Sequence, residues 1–305
     1  MTRFAYFGKQ IVPIADAKVS VMTHAFNYGT GVFGGLRGYW NADEEQLYVF
    51  RPRDHFKRFL HSASLLRMQL DYTPQSLTEI VTELLRTEGW RENCYIRPLA
   101  YKASETIAVR LNALDDAVTI FSLPFGAYTS NETGTHVAFS AWRRVEDNAI
   151  PARGKIAGAY VNSALSSTDV RLAGYDEALV LNEDGHVSEM SVANFFIVRD
   201  GVAITPSVQS NVLEGIVRRS VIQLLRDELG VPVVERNIDR SEVYIADEAF
   251  MCGTGVQICA ITRIEHRNVG DGVMGAVTSK LRSLFFDVVT GKVAMYKSWL
   301  APVYR

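Results

Sequence analysis

Residues 124–134 read Pro-Phe-Gly-Ala-Tyr-Thr-Ser-Asn-Glu-Thr-Gly, a concentration of turn formers that suits neither a helix nor an inner strand. It cuts a chain of 305 residues, about twice a typical domain, into two parts. We expect a small N-terminal α/β domain over 1–123, an interdomain loop over 124–134 and a larger mixed α/β domain over 135–305. Before the connector, 4–7 and 10–14 read as a hairpin around Gly8-Lys9. Residues 54–69 carry Phe56, Phe59, Leu60, Ala63 and Leu66 at helical spacing, with Asp54 as a candidate cap and Arg58 off the apolar stripe. Residues 76–89 form a second helix pattern, with Ser76 and Glu79 spaced as a capping box and Gly89 as the stop. Strands are expected at 94–102 and 117–123.

After the connector, strand patterns cover 136–143, 177–182 and 187–198, the last two joined by the turn Glu183-Asp-Gly-His186. Helices are expected near 160–173, 215–229 (stop at Gly230) and 276–290 (stop at Gly291). Helices interspersed with hairpins argue for an α+β class rather than a regular βαβ series.

Composition narrows the function classes. Hydrophobic residues make up 48% and charged residues 22%, enough apolar material for a large core. With 32 basic and 34 acidic residues the net charge is -2, so no nucleic-acid partner is expected. No apolar run is long enough to cross a bilayer, and the first ten residues lack an apolar secretory core. A cytoplasmic location with no membrane partner is expected. The cysteines are three, Cys94, Cys252 and Cys259, without a CxxC pair, which points to buried reduced thiols and to no metal site. GxxxxGK[ST] does not occur.

Several residues could carry chemistry, each with a plain structural alternative. Lys155 lies among small and apolar neighbours in Ile150-Pro-Ala-Arg-Gly-Lys-Ile-Ala-Gly-Ala-Tyr160. It is either an amine nucleophile of depressed pKa or an exposed loop lysine. Glu189, bracketed by apolar residues, is either a buried carboxylate that needs a cation or a surface residue of an edge strand. Asn211-Val-Leu-Glu-Gly-Ile-Val217 opens a helix, and Gly253-Thr-Gly255 follows a strand. Either could offer backbone N–H groups to a phosphate, although such turns are common. Tyr95 and Arg97 share a strand face, which suits carboxylate recognition or a merely polar surface.

Taken in order, these segments resemble the branched-chain amino acid aminotransferases of the class IV, fold type IV, pyridoxal-5'-phosphate (PLP) enzymes. The resemblance runs from His24-Ala-Phe-Asn-Tyr-Gly-Thr-Gly-Val-Phe33 through Tyr95-Ile-Arg-Pro98, Lys155, Ser188-Glu189 and Leu213-Glu-Gly-Ile216 to Phe250-Met-Cys-Gly-Thr254. It implies a two-domain fold type IV enzyme that moves amino groups between L-leucine, L-isoleucine or L-valine and 2-oxoglutarate by a ping-pong mechanism. Lys155 would hold PLP as a Schiff base and move the substrate proton. Glu189 would face the pyridine nitrogen, Tyr160 the ring O3', and Arg58 the phosphate. The remaining cofactor contacts would come from Leu213, Gly215, Ile216, Val217, Gly253 and Thr254. Tyr95, Thr254 and Gly255 would bind the α-carboxylate, and Arg97 and Tyr128 the second carboxylate of glutamate. Phe33, Tyr95 and Phe125 would wall the side-chain pocket, with Arg37 nearby. Tyr28 would reach the site of a neighbouring copy, so a homodimer or larger homo-oligomer is expected.

The chain departs from the family pattern at several places. Gly34 stands where many members have glutamate, Phe125 where tryptophan is common, and Gly255 where alanine is usual. Val217 replaces a threonine, removing a hydroxyl worth about 1 kcal/mol of cofactor binding. The glycine at 34 removes charge and volume, so an (R)-selective amine transaminase, or an enzyme accepting both (R)-amines and branched-chain amino acids, is the alternative reading.

Overall fold

The structure is a computed structural model that describes residues 3–128, 131 and 133–304. Of the connector, Thr129, Ser130 and Glu132 lie outside the described residues. The chain divides into two compact units. The first takes Met1–Gly126, Gly154–Gly158 and Asp287–Arg305, and the second Ala127–Arg153 and Ala159–Phe286. The units are therefore not simple successive segments: the short Lys155 segment and the last residues both count with the first.

In the first unit, β1 (Phe4–Phe7) and β2 (Gln10–Pro13) form the expected hairpin, followed by α1 (His24–Tyr28). Then come β3 (Gly31–Phe33), β4 (Leu36–Asn41) and β5 (Gln46–Phe50), and the helices α2 (Pro52–Leu65) and α3 (Pro74–Glu88). The long strands β6 (Cys94–Lys102) and β7 (Asp116–Pro124) pair antiparallel along their whole length. Residues of β6 alternate strictly between buried and half-buried, the period of a pleated strand. Pro98 interrupts its ladder, because proline has no N–H to donate. Opposite it the chain breaks at Gly34-Gly35, so β3 pairs Leu99–Tyr101 and β4 pairs Cys94–Ile96. The Gly34 N–H donates to the Pro98 carbonyl at 2.8 Å.

The second unit contains β8 (Thr135–Phe139), α4 (Tyr160–Leu172), β9 (Glu177–Leu181) and β10 (Val187–Met190). Next are β11 (Asn194–Arg199), β12 (Val202–Thr205), α5 (Ile216–Asp227), β13 (Val233–Glu235) and α6 (Arg240–Val243). β14 (Glu248–Gly253), β15 (Gln257–Ile264), β16 (Arg267–Asn268) and α7 (Ala276–Val289) follow. Among the described residues the sheet order is β10-β9-β8-β15-β14-β11-β12-β13, with β16 on β15. Phe195, Ile197, Met251, Cys259 and Ile261 are buried together on one face, and Phe196 stacks on Phe250 at 4.9 Å between ring centres. The final strand, β17 (Leu300–Pro302), pairs antiparallel with β5 and completes the first sheet, β17-β5-β4-β6-β7-β1-β2 with β3 on β6.

Three local expectations change. The capping box of α3 is Thr73 with Ser76, one turn before Ser76 with Glu79: Thr73 Oγ1 accepts the Ser76 N–H and Ser76 Oγ accepts the Thr73 N–H. Asp54 caps nothing. It lies in the first turn of α2 and pairs with Arg51 at 2.7 Å. The expected strand 187–198 is two strands, because Ser191–Ala193 turns the chain and the Met190 N–H donates to the Ala193 carbonyl. All three cysteines are buried thiols, and burial pushes those of Cys94 and Cys252 up to about 12. Among the described residues no helix is long and apolar enough to cross a membrane.

A buried ion pair fixes how α2 leaves the first sheet. Lys102 and Asp116 are cross-strand partners of β6 and β7, joined at 2.9 Å with side chains only 1% and 8% exposed. Lys102 Nζ also donates to the Arg67 carbonyl, and Asp116 Oδ2 accepts the Gln69 N–H, so both ions are tied to the chain after α2. Asp116→Ala leaves a buried ammonium without its counter-charge and is expected to destabilise the protein by about 3 kcal/mol. Lys102→Met with Asp116→Leu is expected to recover most of that loss. Urea unfolding of the three proteins measures both effects.

Candidate active site

Lys155 is held by its own backbone. Its N–H donates to Ser62 Oγ at 3.1 Å, its carbonyl accepts the Phe33 N–H at 3.0 Å, and Ile156 bridges to Val32. Ser62 in turn donates to the Arg58 carbonyl, so one buried hydroxyl ties Lys155 to the turn of α2 that bears Arg58. A Cβ at Gly154 would meet Leu65 Cδ1 at 2.9 Å and Ile156 Cδ1 at 3.1 Å, so both side chains would have to shift. The Lys155 ammonium lies 4.9 Å from the centre of the Phe33 ring. On Phe33 also lies the Arg97 guanidinium at 4.6 Å, so two cations share one aromatic face system.

Tyr95 and Arg97 do converge, as their shared strand face requires. Arg97 Nη2 donates to the Tyr95 hydroxyl at 3.2 Å, and the Tyr95 ring packs on Phe125 at 5.3 Å. A Cβ at Gly35 would overlap the Tyr95 hydroxyl. A Cβ at Gly34 would come within 2.6 Å of Pro98 Cγ, so the glycine there answers to the packing of Pro98. Arg37 is buried and donates to the carbonyls of Phe125 and Gly126, with its guanidinium over the Phe125 ring. Those bonds direct it to the backbone of the 125–126 turn. Tyr28 ends α1, half-exposed, with its ring 4.8 Å from that of His24.

In the second unit Glu189 is buried, despite lying on an edge strand. A carboxylate in that setting needs charge and hydrogen bonds. Arg144 Nη2 pairs with Oε1 at 2.7 Å, Asn194 Nδ2 donates to Oε2 at 2.8 Å, and the Leu213 N–H reaches both oxygens at 3.3 Å. Arg144 is fixed from behind, donating through Nε to the Asn211 carbonyl. Asn194 also donates to the Leu213 carbonyl, and its Oδ1 occupies the space that a Cβ at 215 would take. Gly215 is therefore dictated by the group that holds Glu189. It is also the N-cap of α5, and no side chain caps that helix. The first N–H groups of α5, at Ile216 and Val217, point out of the helix start, where an anion could be received. Gly253, Thr254 and Gly255 form the turn from β14 to β15, and Tyr160 opens α4. Tyr128 lies beside Gly255, where an added Cβ would meet its ring at 3.3 Å.

Sequence patterns did not single out Arg144, Asn194 or Ser62. The need of a buried Glu189 for a cation was readable, but not which arginine supplies it. Chemically, the second unit offers a fixed negative charge for a protonated ring nitrogen and a helix start for a phosphate. The first offers a constrained primary amine and a Tyr–Arg pair for a carboxylate. Among the described residues no three metal-ligating side chains cluster.

The Arg144–Glu189 pair can be tested by stability. Arg144→Met is expected to cost about 3 kcal/mol, since it strands a buried carboxylate. Combining it with Glu189→Gln is expected to restore most of the loss, and denaturant titration of the apo proteins measures both.

The model of the family "Amino-transferase class IV" matches residues 31–264. A probable branched-chain-amino-acid aminotransferase of Aquifex aeolicus is 46% identical over 301 residues, 99% of this chain and 97% of that protein. The branched-chain aminotransferase of Thermoproteus uzoniensis, solved with norvaline, superposes with a TM-score of 0.95 at 40% identity, covering 100% of both chains. The branched-chain amino acid aminotransferase of Thermobaculum terrenum, solved in its PLP-bound holo-form, gives 0.95 at 36% identity, over 100% of this chain and 99% of that one. The two-sheet α+β fold is thus that of the fold type IV aminotransferases, and the chain belongs to the class IV aminotransferase family.

Proposed function

We propose that this protein is a PLP-dependent transaminase acting on L-branched-chain amino acids and 2-oxoglutarate. The observation that carries the proposal is the buried Glu189, paired with Arg144 and hydrogen-bonded by Asn194 and the Leu213 N–H. A buried fixed anion of this kind is what a protonated pyridine nitrogen requires. The bound cofactor supplies the electron sink for the pair left when the substrate Cα gives up its proton.

The chain's own residues do the rest. Lys155 would hold the cofactor through Nζ, and its free amine would take and return the substrate Cα proton. Its segment is tied at both N–H and C=O, which limits how far Nζ wanders from that atom. Glu189 keeps a proton on the ring nitrogen. Tyr160 would bond the ring hydroxyl, Arg58 and Thr254 would bind the phosphate with the N–H groups of Ile216 and Val217, and Leu213, Gly215 and Gly253 would shape the backbone around it. Tyr95, Thr254 and Gly255 receive the α-carboxylate, and Arg97 and Tyr128 the second carboxylate of 2-oxoglutarate. Phe33, Tyr95 and Phe125 present apolar faces to the branched side chain, with Arg37 holding the Phe125 turn. The names of the similar proteins favour this reading over an (R)-selective amine transaminase. The glycine at 34, explained by Pro98, gives no separate support to the amine reading.

We also propose a homodimer or larger homo-oligomer. Val21, Met22 and Phe26 are 76%, 49% and 71% exposed, a cost in water that a second copy would relieve. Beside them an apolar cavity of about 460 Å³ is lined by Phe7, Val19, Phe26, Val32, Leu99 and Tyr101.

Three measurements test these readings. L-Leucine is expected to bleach the visible absorbance of the PLP-loaded protein, with (R)-1-phenylethylamine much slower, and borohydride is expected to fix the cofactor on wild type but not on Lys155→Ala. Bleaching by the chiral amine alone would exclude the branched-chain assignment. Sedimentation is expected to give at least twice the mass of one chain, and Phe26→Asp to shift it towards the monomer.

A further inference from the structure

Tyr128 also lines a polar cavity of about 310 Å³. The other walls are Thr135, Arg171, Tyr175, Asp176 and Glu177, with Met251. Arg171, in the last turn of α4, lines that cavity together with Tyr128, and its charge acts on the phenol. A guanidinium has only donors, so towards the Tyr128 oxygen Arg171 can act only as a donor. That leaves the phenol's own proton to be donated elsewhere. Burial, helped by the charge of Glu177, holds this proton on the oxygen to higher pH than an ordinary phenol, with Arg171 opposing.

Arg171 is itself fixed. Its Nε donates to Ser167 Oγ at 3.0 Å and its Nη2 pairs with Glu177 Oε2 at 3.4 Å. Glu177 is 1% exposed and locked through its other oxygen, which accepts from Ser191 Oγ at 2.5 Å and from the Ala178 N–H at 2.8 Å. Ser191 belongs to the turn that separates β10 from β11, two residues after Glu189. A chain of hydrogen bonds thus runs Ser191, Glu177, Arg171, and it ends at the cavity that Arg171 shares with Tyr128. None of the assigned cofactor or substrate contacts accounts for Glu177 and Arg171.

We infer that Arg171 and Glu177 are positioning residues that aim the Tyr128 hydroxyl as a donor, and that through it they set affinity for the dicarboxylate partner relative to the branched-chain one. The inference rests on the proposed role of Tyr128 in binding the second carboxylate. A branched aliphatic side chain offers no acceptor to that hydroxyl, whereas the distal carboxylate of 2-oxoglutarate or glutamate does. The effect is therefore selective between the two half-reactions.

The test compares PLP-loaded wild type with Arg171→Met, Arg171→Lys, Tyr128→Phe and the Arg171→Met/Tyr128→Phe double variant. The readout is the ratio of the KM for 2-oxoglutarate to the KM for L-leucine. Arg171→Met is expected to raise that ratio about tenfold, the size of one hydrogen bond to a charged group. Arg171→Lys is expected to restore part of it, and the double variant to be no worse than Tyr128→Phe alone, because both act through one hydroxyl. Arg171 is half-exposed, so its substitutions fold, and cofactor absorbance checks loading. An unchanged ratio in Arg171→Met, or effects that multiply in the double variant, overturns the inference while leaving the proposed function intact. Failure of wild type to react with L-leucine overturns both.

Discussion

Burying the Glu189 carboxylate is the constraint around which the second unit is arranged. An ion removed from water has to recover its lost solvation from fixed partners. Arg144 brings the charge, and Asn194 and the Leu213 N–H bring hydrogen bonds. Each partner then imposes demands of its own. Arg144 needs the Asn211 carbonyl, and Asn211 adopts a left-handed backbone at φ +54° with its side chain bonded to Glu146 and Asn182. Asn194 reaches Glu189 only because the chain turns at Ser191–Ala193 and starts a new strand. Its amide fills the place of a side chain at 215, which leaves glycine at the start of α5. One carboxylate thus shapes the backbone from 189 to 216 and the uncapped helix start at its end.

The first unit shows the same economy around Lys155. The lysine's backbone is claimed on both sides, by Ser62 and by Phe33, so its position derives from α2 and β3. β3 stops where it does because Pro98 cannot donate, and the two glycines facing Pro98 and Tyr95 leave no room for side chains. The residues that flank the break, Phe33 before it and Arg37 after it, are set by that one missing N–H.

Local signals carried well from sequence to structure where one residue decides the outcome. Gly89, Gly230 and Gly291 all adopt positive φ at or just past the helix ends they were expected to stop, and the β6 alternation is strict. Pairings decided by distant residues were not legible. The α3 cap moved one turn back because a second Ser/Thr pair, Thr73 with Ser76, bonds both ways. The break in 187–198 follows from Ser191 bonding Glu177, a residue on another strand. The partner of Glu189 lies in the segment after β8, where nothing in the local pattern distinguishes Arg144 from Arg143. Residue types announced the chemistry of the site, while the supporting groups emerged only once strands were placed side by side.

The closing of the first sheet by β17 has a consequence for how the protein is made. Domains emerging from the ribosome generally fold in the order of synthesis. Here the outer neighbour of β5 is Leu300–Pro302, and Val303 and Tyr304 donate to the side chain of Gln46. While the rest of the chain is translated, β5 therefore waits with an open edge, and the segment that carries Lys155 arrives late as well. The unit that begins first is the one that finishes last, and the second unit, whose segments span 127 to 286, has all its residues before the first can seal.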